Sequence, residues 1–233
     1  MFRARLLTCA LLVLAPLLTA CDGDQPTIAL LVADGSGSRV VDVDRFTERV
    51  EATCDGCRVT VYDAEGDAET QRSQVRQAEA RSSDVLVVAP VDVEDLSSLT
   101  APEVPLVSLG DLVPGADGHI GLADGEVPTG PVSDLEAARD VLLGDERSMT
   151  YVPTREMTEQ AADVAVALLA DVPVTDVGGT EPEEVDGVES WLYQQQDVTV
   201  DDLTSVLVRQ GVLTLDDLCS GDTEKRCEKL GLR

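Results

Sequence analysis

Apolar and polar stretches alternate along this chain at strand and helix length. Residues 27–33, TIALLVA, form an almost unbroken apolar run rich in Ile, Leu and Val, which reads as a strand buried on both faces. Residues 34–38 supply a loop of Asp, Gly and Ser. Val43, Phe46, Val50 and Ala52 then give the apolar face of a helix over about 41–52. A turn at 54–57 precedes a strand at 58–62, and Asp67 is placed to cap a polar helix running through Arg81. DVLVVA at 84–89 is a third buried strand, ended by Pro90-Val91-Asp92. A short helix over 93–99 and a strand at 105–109 follow. Strands interleaved with helices at this spacing predict right-handed βαβ units and a doubly wound parallel sheet. Such sheets bind ligands beyond the C-terminal ends of their strands.

The regularity weakens after residue 109. Residues 110–130 hold six glycines and two prolines around a short strand at 119–122, and Ser133 is placed to cap a helix across 134–143. Residues 149–153 read as extended. The longest helix, 155–170, carries Ala161, Val164, Ala165, Leu168 and Leu169 as an apolar stripe. Residues 171–190, acidic and rich in Gly and Pro, read as a surface loop. A strand at 191–195, helical segments at 200–210 and 215–219, and a short tail complete the chain.

The first 21 residues are not part of this pattern. Arg3 and Arg5 precede a largely apolar run over 6–20, too short to span a bilayer comfortably and of the length of a signal-peptide core. It ends in Leu18-Thr19-Ala20-Cys21, which resembles the bacterial lipoprotein signal. That resemblance implies cleavage before Cys21 and a lipid on its sulfur, with residues 22–26 as a polar tether and 27–233 as a single domain. Two acyl chains on one Cys hold a protein stably at a membrane surface. The expected location is therefore the extracytoplasmic face of the cell membrane.

With Cys9 in the signal and Cys21 lipidated, four cysteines remain. They form two local pairs, Cys54 with Cys57 and Cys219 with Cys227, and outside the cytoplasm these read as two disulfides. A zinc site would have to draw the distant pairs together, since the one histidine is His119. A redox-active C-x-x-C would open a helix, whereas this one follows a helix.

Composition narrows the possible partners. The chain has 45 Asp and Glu against 17 Lys and Arg, a formal charge of −28. An acidic surface of this kind repels nucleic-acid phosphates and anionic lipids, so no nucleic-acid partner is expected, and the membrane is met only through the anchor.

Four stretches together resemble the type I periplasmic sugar-binding proteins, and more narrowly the xylose-binding-like lipoproteins of bacterial ABC importers. The first is LLVADGSGSRVVDVDRF, in which Arg39, Asp44 and Arg45 occupy the family's polar positions. The second is Cys54-Asp55-Gly56-Cys57 before a strand. The third is Tyr62 to Ala68 followed by VLVVAPVD, and the fourth is VPLVSLGDLVPGAD. MTYVPTREMTEQAADVAVALL, WLYQQQDVTVDDLTSVLVRQG and LTLDDLC extend the resemblance to the C-terminal part.

The resemblance implies a periplasmic-binding-protein-like α/β fold with a C-terminal helical extension, a sugar ligand, an importer permease as partner, and no enzymatic activity or cofactor. Its implied ligand residues are Arg39, Asp44, Asp92, Asp111 and Asp124, and each of these is equally placed to be a cap or a surface charge. The chain departs from the family in four ways, one being Ala123-Asp124-Gly125 in place of Phe-Asp-Asn. Fewer than thirty residues stand between 122 and 147, where the family has most of a second lobe. Val40 replaces an aromatic beside the first-loop Arg, and Gly110-Asp111 replaces an Asp-Arg pair. An envelope interaction module that has lost sugar binding is the alternative these departures imply.

Other chemistry finds little support. Gly35 and Gly37 lack the third glycine of a dinucleotide loop, because Val40 stands there. Asp63, Glu65, Asp67 and Glu69 alternate like calcium ligands, but Gly66 falls at the wrong place for an EF-hand loop, so no metal site is expected. No G-x-S-x-G elbow occurs, and His119 has no evident nucleophile beside it.

Overall fold

The computed structural model describes residues 25–34, 41–97, 104–124, 134–173 and 180–233. Its main element is a seven-stranded sheet. In chain order the strands are β1 (Thr27–Val32), β2 (Arg58–Asp63), β3 (Val85–Val88), β4 (Leu106–Leu109), β5 (Gly118–Leu122), β7 (Glu183–Val185) and β8 (Val188–Tyr193). Across the sheet the order is β2-β1-β3-β4-β5-β8-β7, parallel throughout except for β7, which runs antiparallel to β8. This is the doubly wound sheet expected from the sequence.

The apolar run of β1 follows from burial on both faces. Ile28, Leu30 and Val32 point to one face, packing with Phe46 and Val50 of α1 (Val43–Thr53) and with Met157, Ala161 and Val164 of α5 (Thr154–Ala170). Ala29 and Leu31 point to the other, against Val75 and Ala78 of α2 (Ala68–Ala80) and Leu96 of α3 (Val93–Ser97). Each such Leu or Ile contributes roughly 1.5–3 kcal/mol by leaving water. Asp42 caps α1, accepting from the Arg45 backbone N–H at 3.0 Å, and Asp67 caps α2 by accepting from that of Thr70. On the outer side, Arg49 of α1 makes two 2.8 Å hydrogen bonds to Asp163 of α5.

A second, smaller body has its own core. Strands β6 (Ser148–Tyr151) and β9 (Gln196–Thr199) pair antiparallel. Around them pack α4 (Leu135–Leu143), a π-helical turn (Thr204–Val208), α6 (Leu215–Leu218) and α7 (Glu224–Leu230). Leu142, Met149, Val198, Leu203, Leu207 and Leu218 fill its interior, together with Cys219 and Cys227. The sequence resemblance implies a large second lobe here. This chain assembles a small one from separate stretches, the C-terminal tail among them. The chain passes between the two bodies three times, from β5 to α4, from β6 to α5 and from β8 to β9. At the second passage the Tyr151 hydroxyl donates to Glu156 at 3.4 Å. Burial, with Glu156 beside it, pushes the phenol up to about 12, so it stays a donor.

Three local expectations change. The cap of α4 is Asp134, accepting from the Ala137 N–H at 2.7 Å, one residue later than the predicted Ser133. The loop predicted over 171–190 contains the β7–β8 hairpin, which turns on Asp186 and Gly187, both with positive φ. The segment predicted helical at 200–210 is preceded by β9, and only its middle is helical.

Candidate functional site

Because β1 and β2 run to one side of the sheet and β3, β4 and β5 to the other, strand order reverses between β1 and β3. A crevice opens at the C-terminal edge of such a reversal. Most of the sequence-predicted acids lie along this edge. Asp92 follows β3, Asp111 lies two residues past β4, and Asp124 two past β5. All three are exposed. Asp44 sits in the first turn of α1, exposed, where a carboxylate is favourable to the helix dipole. Arg39 lies outside the described residues, as does Cys21.

Local geometry separates their roles. Asp92 accepts from the backbone N–H groups of Glu94 at 2.8 Å and Asp95 at 3.2 Å, so it caps α3 and has only part of its accepting capacity free. At the end of β4, Gly110 has φ +94° and donates its N–H to the Ile120 carbonyl at 2.8 Å, leaving Asp111 beyond the sheet. Asp124 is different. Its Oδ2 accepts from Gln195 Nε2 at 3.3 Å, joining the first and third passages between the bodies. Gln195 Oε1 is buried and unpartnered, an unmet acceptor of the kind that a water or ligand hydroxyl satisfies.

Gln195 was read from the sequence only as strand. The sign available was Gln194-Gln195-Gln196 directly after an apolar strand at the binding edge.

A carboxylate beside a carboxamide offers paired acceptors and donors without net positive charge, an arrangement that suits a neutral polyhydroxyl molecule and disfavours an anion. Among the described residues no group of His, Cys, Asp and Glu is arranged to hold a metal ion. Stacking surfaces are missing as well. Phe46, Tyr62, Tyr151, Trp191 and Tyr193 are all buried, so no described aromatic ring lies open at the edge. Tyr193 instead turns inward, its hydroxyl donating to Gln160 of α5 at 3.4 Å.

His119 takes no part in the edge. It lies within β5, 5 % exposed, its Nδ1 3.1 Å from Ser108 Oγ of β4, and burial lowers its pKa. The structure sets Cys54 and Cys57 with α-carbons 5.5 Å apart at the C-terminal end of α1, and Cys219 and Cys227 with α-carbons 5.8 Å apart inside the small body, both within reach of a disulfide.

No protein-family model matches the chain, and no curated protein matches it. Solved structures do. An ABC transporter solute binding protein from Clostridium phytofermentans with bound β-D-glucose matches with a TM-score of 0.62 at 11 % identity, over 82 % of this chain and 99 % of that one. The Caulobacter myo-inositol binding protein bound to myo-inositol matches at 0.60 and 14 % identity, over 82 % and 98 %. A chain of the TorS sensor domain–TorT complex matches at 0.54 and 9 % identity, over 83 % and 95 %. The fold is therefore that of the periplasmic solute-binding proteins, the class whose motifs the sequence resembles.

Proposed function

We propose that the chain is a non-enzymatic solute-binding lipoprotein of the ABC-importer class. It takes a neutral sugar or polyol at the C-terminal edge of the main sheet and delivers it to a membrane permease. Asp124 and Gln195 are its central contacts, with Asp111 and Asp92 on the neighbouring strand ends and Arg39 and Asp44 from the first loop and helix. The carrying observation is the Asp124–Gln195 hydrogen bond between two passages that the β5–β8 pairing sets side by side, with Gln195 Oε1 left without a partner. The glucose- and inositol-bound proteins of the same fold support this choice of ligand class. Cys21 carries the lipid, residues 22–26 are the tether, 27–233 make up a single domain that includes both bodies, and both cysteine pairs are oxidised outside the cytoplasm. Calorimetry and thermal shift of the mature chain against pentoses, hexoses and inositols test the reading. Absence of both heat and stabilisation at millimolar ligand would sink it.

The burial of every described aromatic ring favours a second reading, an envelope interaction module that no longer binds sugar. The same fold in the TorS–TorT complex is consistent with that role. A stable protein complex formed equally with and without saturating sugar would select it.

A further inference from the structure

The described chain begins at one particular end of the sheet. Thr27 opens β1, and just before it the Pro26 carbonyl accepts the Arg58 N–H at 2.8 Å, while the Gln25 side chain accepts from the Arg58 guanidinium at 2.8 Å. The backbone is thus held to the N-terminal edge of the sheet from Gln25 onward. Four residues separate Cys21 from Pro26, so the two α-carbons stand at most about 18 Å apart even when fully extended. The binding edge lies at the opposite end of strands that rise ~3.3 Å per residue.

Both ends of the sheet are acidic, but not equally. Where β1, β2 and β3 begin, the segments leading in and the first residues carry Asp22, Asp24, Asp55 and Asp84 against Arg58 and Arg81. Where these strands end they carry Asp34, Asp63, Glu65, Asp67 and Asp92, and the one cation of those turns in the sequence is Arg39. An anionic bilayer repels the second end more strongly than the first, within a Debye length of roughly 10 Å.

We propose that the protein stands end-on at the membrane. The strand starts beside Gln25, Arg58 and Arg81 face the lipid headgroups, and the acidic binding edge opens away from the bilayer. This rests on the lipid anchor at Cys21. The short tether lets the body lean but not invert, because inversion would lift Pro26 a full body height from the surface. A permease must therefore meet the edge from the side, or engage a copy anchored elsewhere.

The test uses the lipidated full-length protein on vesicles of phosphatidylcholine and phosphatidylglycerol containing an acceptor-labelled lipid. Arg81→Cys and Glu94→Cys each introduce a donor-dye site; both positions are exposed, before and after β3, separated by on the order of 20 Å along the sheet. Energy transfer is expected to be clearly greater from position 81 than from 94, and inserting twenty Gly/Ser residues after Asp22 should shrink the difference. Equal transfer, greater transfer from 94, or a difference untouched by the insertion overturns the proposal. Protein that does not float with the vesicles, or floats equally well as Cys21→Ser, overturns the lipid-anchor reading as well. Vesicle-bound labelled protein with equal transfer from the two positions, while Cys21→Ser no longer floats, overturns the orientation alone.

Discussion

Asp124 and Gln195, 71 positions apart, meet through a 3.3 Å hydrogen bond at the C-terminal edge of the main sheet. β5 and β8 are parallel neighbours in register, Leu122 opposite Tyr193, so their outgoing segments emerge together. Each strand brings the second residue past its end to the same spot, where a bound hydroxyl can meet both a carboxylate and a carboxamide.

If the site takes a sugar or polyol, Asp124→Ala and Gln195→Ala should each weaken binding about tenfold, or ~1.4 kcal/mol, as expected for hydrogen bonds to a charged or buried polar group. Asp124 is exposed, so its replacement should leave stability within roughly 0.5 kcal/mol of wild type. Calorimetry gives the first quantity and urea unfolding the second. Unchanged affinity in both variants would place the ligand elsewhere.

The pair Arg49–Asp163 ties α1 to α5 across the outer surface of the main body. Both contacts are 2.8 Å and two-pronged, and Asp163 raises the guanidinium pKa, chiefly through the hydrogen bonds, so Arg49 stays charged. The Arg49 side chain is 36 % exposed and that of Asp163 12 %, so solvent screens much of the attraction. A double-mutant cycle with Arg49→Ala and Asp163→Ala should return a coupling of about 1 kcal/mol, the upper end for partly exposed pairs. The coupling should shrink as salt is added. A coupling indistinguishable from zero at low salt would mean the two helices are held by their apolar faces alone.

The main sheet was legible in the sequence because strands buried on both faces read as short apolar runs: TIALLV, VLVV and LVSL need no alternation to be found. The small body was not legible. Its elements were read one by one, the helix across 134–143 and the extended stretch at 149–153 among them, but their shared core was not. That core is drawn from α4, two four-residue strands and the C-terminal tail, which meet only in the fold. The β7–β8 hairpin was missed although Val185-Asp186-Gly187-Val188 carries the Asp-Gly signal of a two-residue turn, because the surrounding Glu, Pro and Gly residues dominated the composition. At the edge, the acids were visible one by one. The carboxamide that gives Asp124 a partner belongs to a strand end that becomes a neighbour only through the β5–β8 pairing.

His119 should make stability depend on pH in mild acid. In the unfolded chain it takes a proton near its ordinary value of 6.5. In the fold burial lowers that value, against a smaller opposing contribution from the hydrogen bond with Ser108. A buried imidazole that resists protonation leaves stability complete above about 6.5 and lets it decline as pH falls through that value, because the unfolded state binds the proton first. His119→Asn should flatten the stability profile between roughly pH 5 and 6.5, above the range in which ordinary carboxylates titrate. Urea midpoints across that interval provide the measurement. Parallel profiles for both proteins would show that His119 stays neutral in neither state or in both.

The two disulfides should differ in what they support. Cys54–Cys57 closes a very short loop at a helix end, with both residues partly exposed. Cys219–Cys227 has a sequence separation of 8, both residues fully buried in the small body's core. The loop-entropy relation gives about 2 kcal/mol for the first and roughly 2.6 kcal/mol for the second, values that measured disulfides scatter around. Burial adds to the difference, since replacing Cys219 and Cys227 with Ala also removes sulfur from a packed interior at a further cost of ~1 kcal/mol or more. Both sulfurs sit within the same buried cluster as Leu142, Met149 and Val198, so that loss falls on the small body's own core. The Cys219→Ala, Cys227→Ala variant should therefore lose hydrogen-exchange protection at Leu142, Met149 and Val198 while β1 and β3 keep theirs. The Cys54→Ala, Cys57→Ala variant should show only a modest global loss. Equal loss of protection in both bodies would mean that they unfold as one cooperative unit, with the tail disulfide stabilising the main sheet as well.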